Sequence, residues 1–273
     1  MQDFTHSVVS GISMGLFDRA GINKKVFLFL LAAGILGCIA VLPYVWSLDL
    51  IPEEKLPAPK SVLVLAQIVQ SVVMLSVAVF AGLYIAKKVG LGAPYLEDWL
   101  TGESVHDGLK SVLITSVVLG MLAGGFIFFL DRVVFALYIE PVTASQAQPA
   151  LWQRFLVSFY GGICEELFMR LFLMSLFVWL FSKIKRTING HATDLGVWSA
   201  IILVSVIFGL GHLPMTARFI GITPLVVVRA IVLNGIAGIV FGWLYWKKGL
   251  ESAIVSHFST DIIIHVVLSS LAA

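Results

Sequence analysis

Charge is scarce in this sequence. Lys, Arg, Asp and Glu make up 12% of its 273 residues, against ~25% in an average soluble domain. That shortfall excludes an ordinary soluble globular protein and a disordered chain, both of which need a well-solvated polar composition. It also excludes a nucleic-acid binder, whereas the formal net charge of +2 says little about partners. Cysteine is nearly missing. Cys38 and Cys164 both lie in apolar runs, so they form neither a disulfide framework nor a metal-ligand pattern. No redox compartment follows from them. Internal repeats and low-complexity tracts are lacking too.

What is present is apolar. Hydrophobic residues reach 59% and the mean hydropathy is +0.99. A bilayer can take up apolar surface that a soluble core of this length cannot hold. Crossing ~30 Å of hydrocarbon takes ~20 helical residues. Seven stretches qualify, at about 26–46, 61–86, 109–130, 153–181, 197–212, 223–246 and 251–271. The stretch 133–139 either extends the third span or makes a short eighth. The fifth is short and has room to run past Pro214. The first is too long for a cleaved signal peptide, and no A-x-A-like site follows it. The expected fold is therefore all-α, a polytopic transmembrane bundle of seven to eight spans.

Seven spans with the N-terminus inside put Arg19, Lys24, Lys25, Lys87, Lys88, Lys183, Lys185, Arg186, Lys247 and Lys248 on the inner face. The outer segments then hold Lys55, Lys60, Arg132 and Arg218. That bias agrees with the positive-inside rule. Residues 1–25 read as an interfacial helix, with Val8, Val9, Ile12, Leu16 and Phe17 at helical spacing. The polar stretch 87–108, with Glu97, Asp98, Glu103 and Asp107, reads as a solvated connector. Gly120/Gly124 and Gly238/Gly242 have the spacing of close helix–helix packing.

A few charges lie where the bilayer penalises them. A charge at mid-membrane costs ~2.5–3.5 kcal/mol on insertion scales. The fourth span carries Glu165, Glu166 and Arg170 between apolar flanks, so these side chains must face the bundle interior or a wet cavity. Glu166 and Arg170 are i,i+4 with the acid first, the favoured orientation for an ion pair within a helix. Glu165 projects ~100° away and is left free for chemistry. In the fifth span Phe208 and His212 are i,i+4, just before Pro214. In the last, His257, Asp261 and His265 recur every four residues on one face. His257 and Asp261 read as a hydrogen-bonded pair that fixes a tautomer or binds a metal. His265, nearer the chain end, is expected outside the site. Helix rise puts Glu165, His212, His257 and Asp261 roughly 10–25 Å from the inner face. Acids and imidazoles converging there suit activation of water and stabilisation of an oxyanion. The active site is expected inside the membrane, and the reaction class is hydrolysis.

Taken in order, EExxxR (Glu165, Glu166, Arg170), FxxxH (Phe208, His212) and HxxxD (His257, Asp261) resemble the CPBP family of intramembrane proteases. That family includes the Rce1-type CAAX prenyl endopeptidases and bacteriocin-processing or immunity proteins. The resemblance covers about 153–265. It implies that Glu165 is the general base and that His212 shares its water. It implies that Glu166, Arg170 and Phe208 support the site, and that His257 and Asp261 form the oxyanion side. Many relatives carry Asn at the position of Asp261, and an ionised Asp only accepts hydrogen bonds. Asp261 then either orients His257, ligates a metal, or acts as a protonated acid.

The family has been described both as metal-independent glutamate proteases and as metalloproteases. No cofactor is expected here. The alternative is Zn²⁺ on His212, His257 and Glu165. The implied partners are a peptide or prenylated protein C-terminus and the lipid bilayer. The chain is expected to be a multi-pass protein of the plasma membrane in a prokaryote, or of the endoplasmic reticulum in a eukaryote. Its expected organisation is an N-terminal segment 1–25, N-terminal spans over 26–152 and a catalytic core over 153–273. HExxH, GxGD and GxSxG motifs of other intramembrane proteases are missing. The competing functions are a proton-coupled transporter and a non-catalytic scaffold, each using the same buried Glu and His residues.

Overall fold

In the computed structural model, residues 15–48, 56–104, 108–139, 149–188 and 190–271 are described. Among them the chain is helical, and β-structure is limited to one bridge between Arg186 and Ala192. Seven helical segments are long and apolar enough to cross a membrane: Lys24–Ser47, Lys60–Val89, Leu109–Phe135, Leu151–Ile184, Asp194–Thr216, Pro224–Lys248 and Leu250–Leu271. The protein is a multi-pass integral membrane protein.

The helices in chain order are α1 (Leu16–Ala20), α2 (Lys24–Ala40), α3 (Leu42–Ser47), α4 (Lys60–Val89), α5 (Pro94–Thr101), α6 (Leu109–Leu130), α7 (Leu151–Phe159), α8 (Ser175–Ile184), α9 (Asp194–Gly211), α10 (Leu213–Thr216), α11 (Pro224–Lys248) and α12 (Leu250–Asp261). Polar side chains start several of them. Asn23 caps α2 by accepting from the Lys25 amide, Thr193 caps α9 and Thr223 caps α11, each satisfying an otherwise orphaned N–H. Lysines close α4, α8 and α11 at Lys87, Lys88, Lys183, Lys247 and Lys248, where they complement the helix dipole.

The third span runs on from α6 through a π-helical turn, Asp131–Phe135. The stretch after 130 therefore extends that span instead of making an eighth. The fifth span passes Pro214 through α10, because proline is tolerated in a first helical turn. Of the proposed interfacial helix only Leu16–Ala20 falls in the described residues; Val8, Val9 and Ile12 lie outside them.

The stretch 87–108 corrects the connector reading. It contains α5, with Leu96 buried. The Leu96 amide donates to Glu251 Oε1 at 2.7 Å, and the Leu250 amide donates to the Gly92 carbonyl at 2.9 Å. Trp99 packs edge-on against Phe29. Apolar residues inside the stretch gave it a face to bury, and the start of α12 supplied an acceptor. Asp107 lies outside the described residues.

The polarity of the bundle is reversed relative to a soluble fold. Leu65, Val69, Val73 and Val77 on α4 and Leu122, Phe126 and Phe129 near the end of the third span face outward. Ser116, Ser158, Glu166, Arg170, Ser256, His257, Thr260 and Asp261 are inside. An outward apolar surface of that extent belongs against lipid. Close approach at glycine draws the inner helices together. A Cβ on Gly124 of α6 would stand 2.9 Å from the Thr260 carbonyl of α12. One on Gly238 of α11 would stand 2.7 Å from Ser205 Oγ of α9. Both glycine pairs thus pack helices, as their spacing predicts.

Candidate active site

The fourth span begins as α7 and then winds as π-helix over Tyr160–Glu165 and Leu167–Met174 before continuing as α8. π-turns inside a helix are rare and occur frequently at functional sites. Here the two turns flank the adjacent carboxylates. Glu166 is fully buried, whereas the Glu165 side chain is 24% exposed.

Glu166 Oε1 accepts from Arg170 Nη1 at 2.9 Å and from His257 Nδ1 at 2.7 Å. Arg170 Nη2 donates to the Gly238 carbonyl of α11 at 3.2 Å. The guanidinium lies by the rings of Phe208 and Phe241, with Cζ 5.0 and 5.3 Å from their centroids. These π-faces stabilise a cation that has lost its water. One buried ion pair therefore joins the fourth, fifth, sixth and seventh spans.

His257 is held on every side. Its ring stacks on Phe241 at 4.5 Å and meets Phe208 edge-on at 5.7 Å. Because Nδ1 is committed to Glu166, Nε2 is the nitrogen turned toward the free groups, 3.7 Å from Glu165 Oε2 and 3.8 Å from Asp261 Oδ1. The hydrogen bond expected between His257 and Asp261 is not made, since 3.8 Å is too long for one. The carboxylate that orients His257 is Glu166, across the bundle. A partner one turn away on the same helix yields here to one that also carries the Arg170 charge.

His212 ends α9. Its Nδ1 lies 2.8 Å from the Phe208 carbonyl. A carbonyl only accepts, so this nitrogen carries the proton and Nε2 is the acceptor of the neutral ring. The Phe208 ring packs edge-on against it at 4.7 Å.

Glu165, His212, His257 and Asp261 all line one cavity of about 310 Å³. It lies in the half of the bundle away from the lysine-bearing ends of α4, α8 and α11, bounded by α11 residues from Arg229 to Ala237. Gly161 adjoins the Asp261 carboxylate so closely that any Cβ would overlap Oδ2, and it would come within 3.1 Å of His257 Nε2. Gly162 packs instead on the backbone of α12, near the Ile254 carbonyl. Of the paired glycines, the first keeps the site open and the second packs.

Four cavity residues extend or correct the sequence reading. His265 lines the cavity, although its position near the chain end argued against it. The seventh span continues through a π-helical stretch, Ile262–Leu268, and the cavity extends toward that end. Its spacing of four from Asp261 was the usable signal. Asn234 of α11 also lines it, with no motif to mark it. Asp131 and Arg229 form a bidentate pair at the cavity wall, with Nε–Oδ1 at 2.6 Å and Nη2–Oδ2 at 2.7 Å. Asp131 stands beside Arg132 at the end of an apolar run, Arg229 lies alone within another, and 98 residues separate the pair. Among the described residues, no three His, Cys, Asp or Glu side chains are grouped as a metal ion would need.

Residues 147–263 match the Rce1-like family, described as type II CAAX prenyl endopeptidase Rce1-like. The matched stretch contains EExxxR, FxxxH and HxxxD and leaves out the first three spans. No curated protein and no solved structure matches the chain. Over residues 147–263 the chain is thus similar to the Rce1-like family of type II CAAX prenyl endopeptidases.

Proposed function

We propose that this protein is an intramembrane endopeptidase that hydrolyses a CAAX-type prenylated peptide or another membrane-proximal peptide. The observation that carries the proposal is the separation of two adjacent carboxylates. Glu166 is consumed by Arg170 and His257, while Glu165 faces the cavity with a histidine nitrogen 3.7 Å away.

In this reading Glu165 takes a proton from water as its oxygen attacks the scissile carbonyl. His212 Nε2 accepts the water's second hydrogen bond and aims it. The carbonyl oxygen becomes an oxyanion beside His257, which donates from Nε2 while Nδ1 stays on Glu166. Asp261 flanks the same nitrogen and holds the ring's charge in place. Collapse of the intermediate breaks the C–N bond, and the proton on Glu165 passes to the departing amine. Positioned acid–base groups of this kind contribute ~10²–10⁴-fold each. A prenyl chain, being apolar, reaches such a site laterally between spans. The chemistry is proposed to be metal-independent, with the open nitrogen of His212 serving the water and that of His257 the oxyanion.

The test is a farnesylated CAAX peptide incubated with purified wild type and with Glu165→Ala, the products read by mass spectrometry. Release of the last three residues by wild type alone supports the reading, and insensitivity of that cleavage to 1,10-phenanthroline supports the metal-independent form. Cleavage by the variant removes Glu165 from the mechanism. Cleavage by neither protein shifts the weight to an unprenylated peptide, a transporter or a scaffold.

A further inference from the structure

Resting on the peptidase reading, we propose that Arg229, held by Asp131, receives the free C-terminal carboxylate of the substrate, so that the cut is measured from the chain end.

The pair is built for such a task. Arg229 and Asp131 stand on different spans, both line the cavity that holds Glu165 and His257, and each side chain is 25% exposed. Asp131 uses Nε and Nη2 of the guanidinium. Nη1 takes no partner among the described residues and keeps two donors. Arginine's planar fork binds two carboxylates at once without being deprotonated. Asp131 then fixes the fork while the remaining edge serves a ligand. The neighbouring wall of α11 is apolar at Ala230, Leu233 and Ala237, with Asn234 between them. It therefore offers an apolar track with one polar stop, suited to short apolar residues ahead of a carboxylate.

Two helices give the length of the track. On α11 the Gly238 carbonyl binds Arg170 and so marks the level of the Glu166–His257 contact. Arg229 lies nine residues before it, about 14 Å at 1.5 Å per residue. In the third span Gly124 abuts the Thr260 carbonyl, beside Asp261, and Asp131 lies seven residues further on, about 10 Å. An extended peptide covers about 3.3–3.6 Å per residue. A span of 10–14 Å therefore holds three to four residues between the scissile bond and the carboxylate. The three residues released from a CAAX end fit that length.

The experiment separates this proposal from the peptidase reading by measuring binding as well as cleavage. Glu165→Ala is titrated with a fluorescent peptide of farnesyl-cysteine followed by three apolar residues, as the free acid and as the C-terminal amide. The free acid is expected to bind about tenfold more tightly. In the double variant Asp131→Asn/Arg229→Gln, which keeps a neutral hydrogen-bonding pair, the two forms are expected to bind alike. In wild type, a peptide with one more residue after the third is expected to be cut one residue further along. Equal affinity for acid and amide in the Glu165→Ala protein, or no binding of either, overturns the proposal. So does a cut that stays at the cysteine of the lengthened peptide. Failure of wild type to cleave any peptide while the acid preference holds overturns only the peptidase reading.

Discussion

Arg170 and Arg229 each hold a carboxylate, and their surroundings are opposite. The Arg170–Glu166 pair is sealed, with side chains 1% and 0% exposed, and it is tied to His257, the Gly238 carbonyl and two phenylalanine rings. The Arg229–Asp131 pair is 25% exposed on both sides and faces the cavity. A sealed pair cannot exchange partners, because breaking it strands a charge away from water. A wet pair can, because solvent or a ligand replaces what is lost. The difference assigns them separate work. In the proposed mechanism the inner pair sets the geometry of the reaction centre, and the outer pair is the one open to what enters.

Removing Arg170 tests this most severely. Arg170→Ala is expected to lower stability by about 3–5 kcal/mol, the usual cost of breaking a buried ion pair by removing one partner. In detergent this reads as a large fall in melting temperature, together with loss of cleavage. Arg170→Lys is expected to recover little, because an ammonium lacks the planar fork that reaches both Glu166 and Gly238 while lying between two rings. An unchanged melting curve for Arg170→Ala would put the inner pair in the same class as the outer one.

Glu166→Gln sharpens the comparison by keeping the shape and removing the charge. His257 then loses its ionic orienting partner while Glu165 stays in place. An orienting carboxylate behind a catalytic histidine is worth up to ~10⁴-fold in kcat, so a fall of ~10²–10⁴-fold in kcat is expected, with KM nearly constant. A change confined to KM would place Glu166 on the binding side. Asp261→Asn is milder. Asp261 makes no hydrogen bond to His257 at 3.8 Å, and an amide fills the same volume. Less than about tenfold in kcat is expected, roughly 1.4 kcal/mol; complete loss would mean that the ionised group itself is required.

The legibility of the chain divides along the same line. Seven apolar runs announced the seven spans, because crossing hydrocarbon fixes both length and composition. Glu165, Glu166 and Arg170 were conspicuous because a bilayer punishes charge, and the i,i+4 spacing paired Glu166 with Arg170 as the structure does. The choice of Glu166 over Asp261 as the partner of His257 was hidden. It depends on how the fourth and seventh spans meet, and spacing along one helix carries no such information. The π-turns around Glu165 were equally invisible, since apolar periodicity does not distinguish an extra residue in a turn. His265 was discounted for lying near the chain end, when the end of the seventh span is part of the cavity. Asp131 follows the third apolar run and Arg229 lies within the sixth, and only packing of the third span against α11 makes them a pair. Within the segment 87–108, acidic residues drew attention away from Leu96, whose burial and backbone bond to Glu251 pin α5.

The smallest effect on stability is expected at the outer pair. Asp131→Asn leaves Arg229 with a neutral acceptor in a place that water reaches. The pair is part-buried and bidentate, but water reaches it and Asn keeps an acceptor in place, so the melting temperature is expected to move far less than with Arg170→Ala. Its consequence belongs to substrate binding. With the neighbouring negative charge gone and an amide still holding the fork, Arg229 is less neutralised, and a peptide acid is expected to gain affinity, by about two- to fivefold in KM, while kcat holds. Arg229→Gln is expected to do the reverse, raising KM for the acid and leaving the amide unchanged. Opposite signs from the two halves of one ion pair are what a site produces in which one half binds the acid and the other repels it. Equal losses from both variants, in stability as much as in KM, would make the outer pair a clamp between the third span and α11, and the contrast with Arg170 would then be one of depth alone.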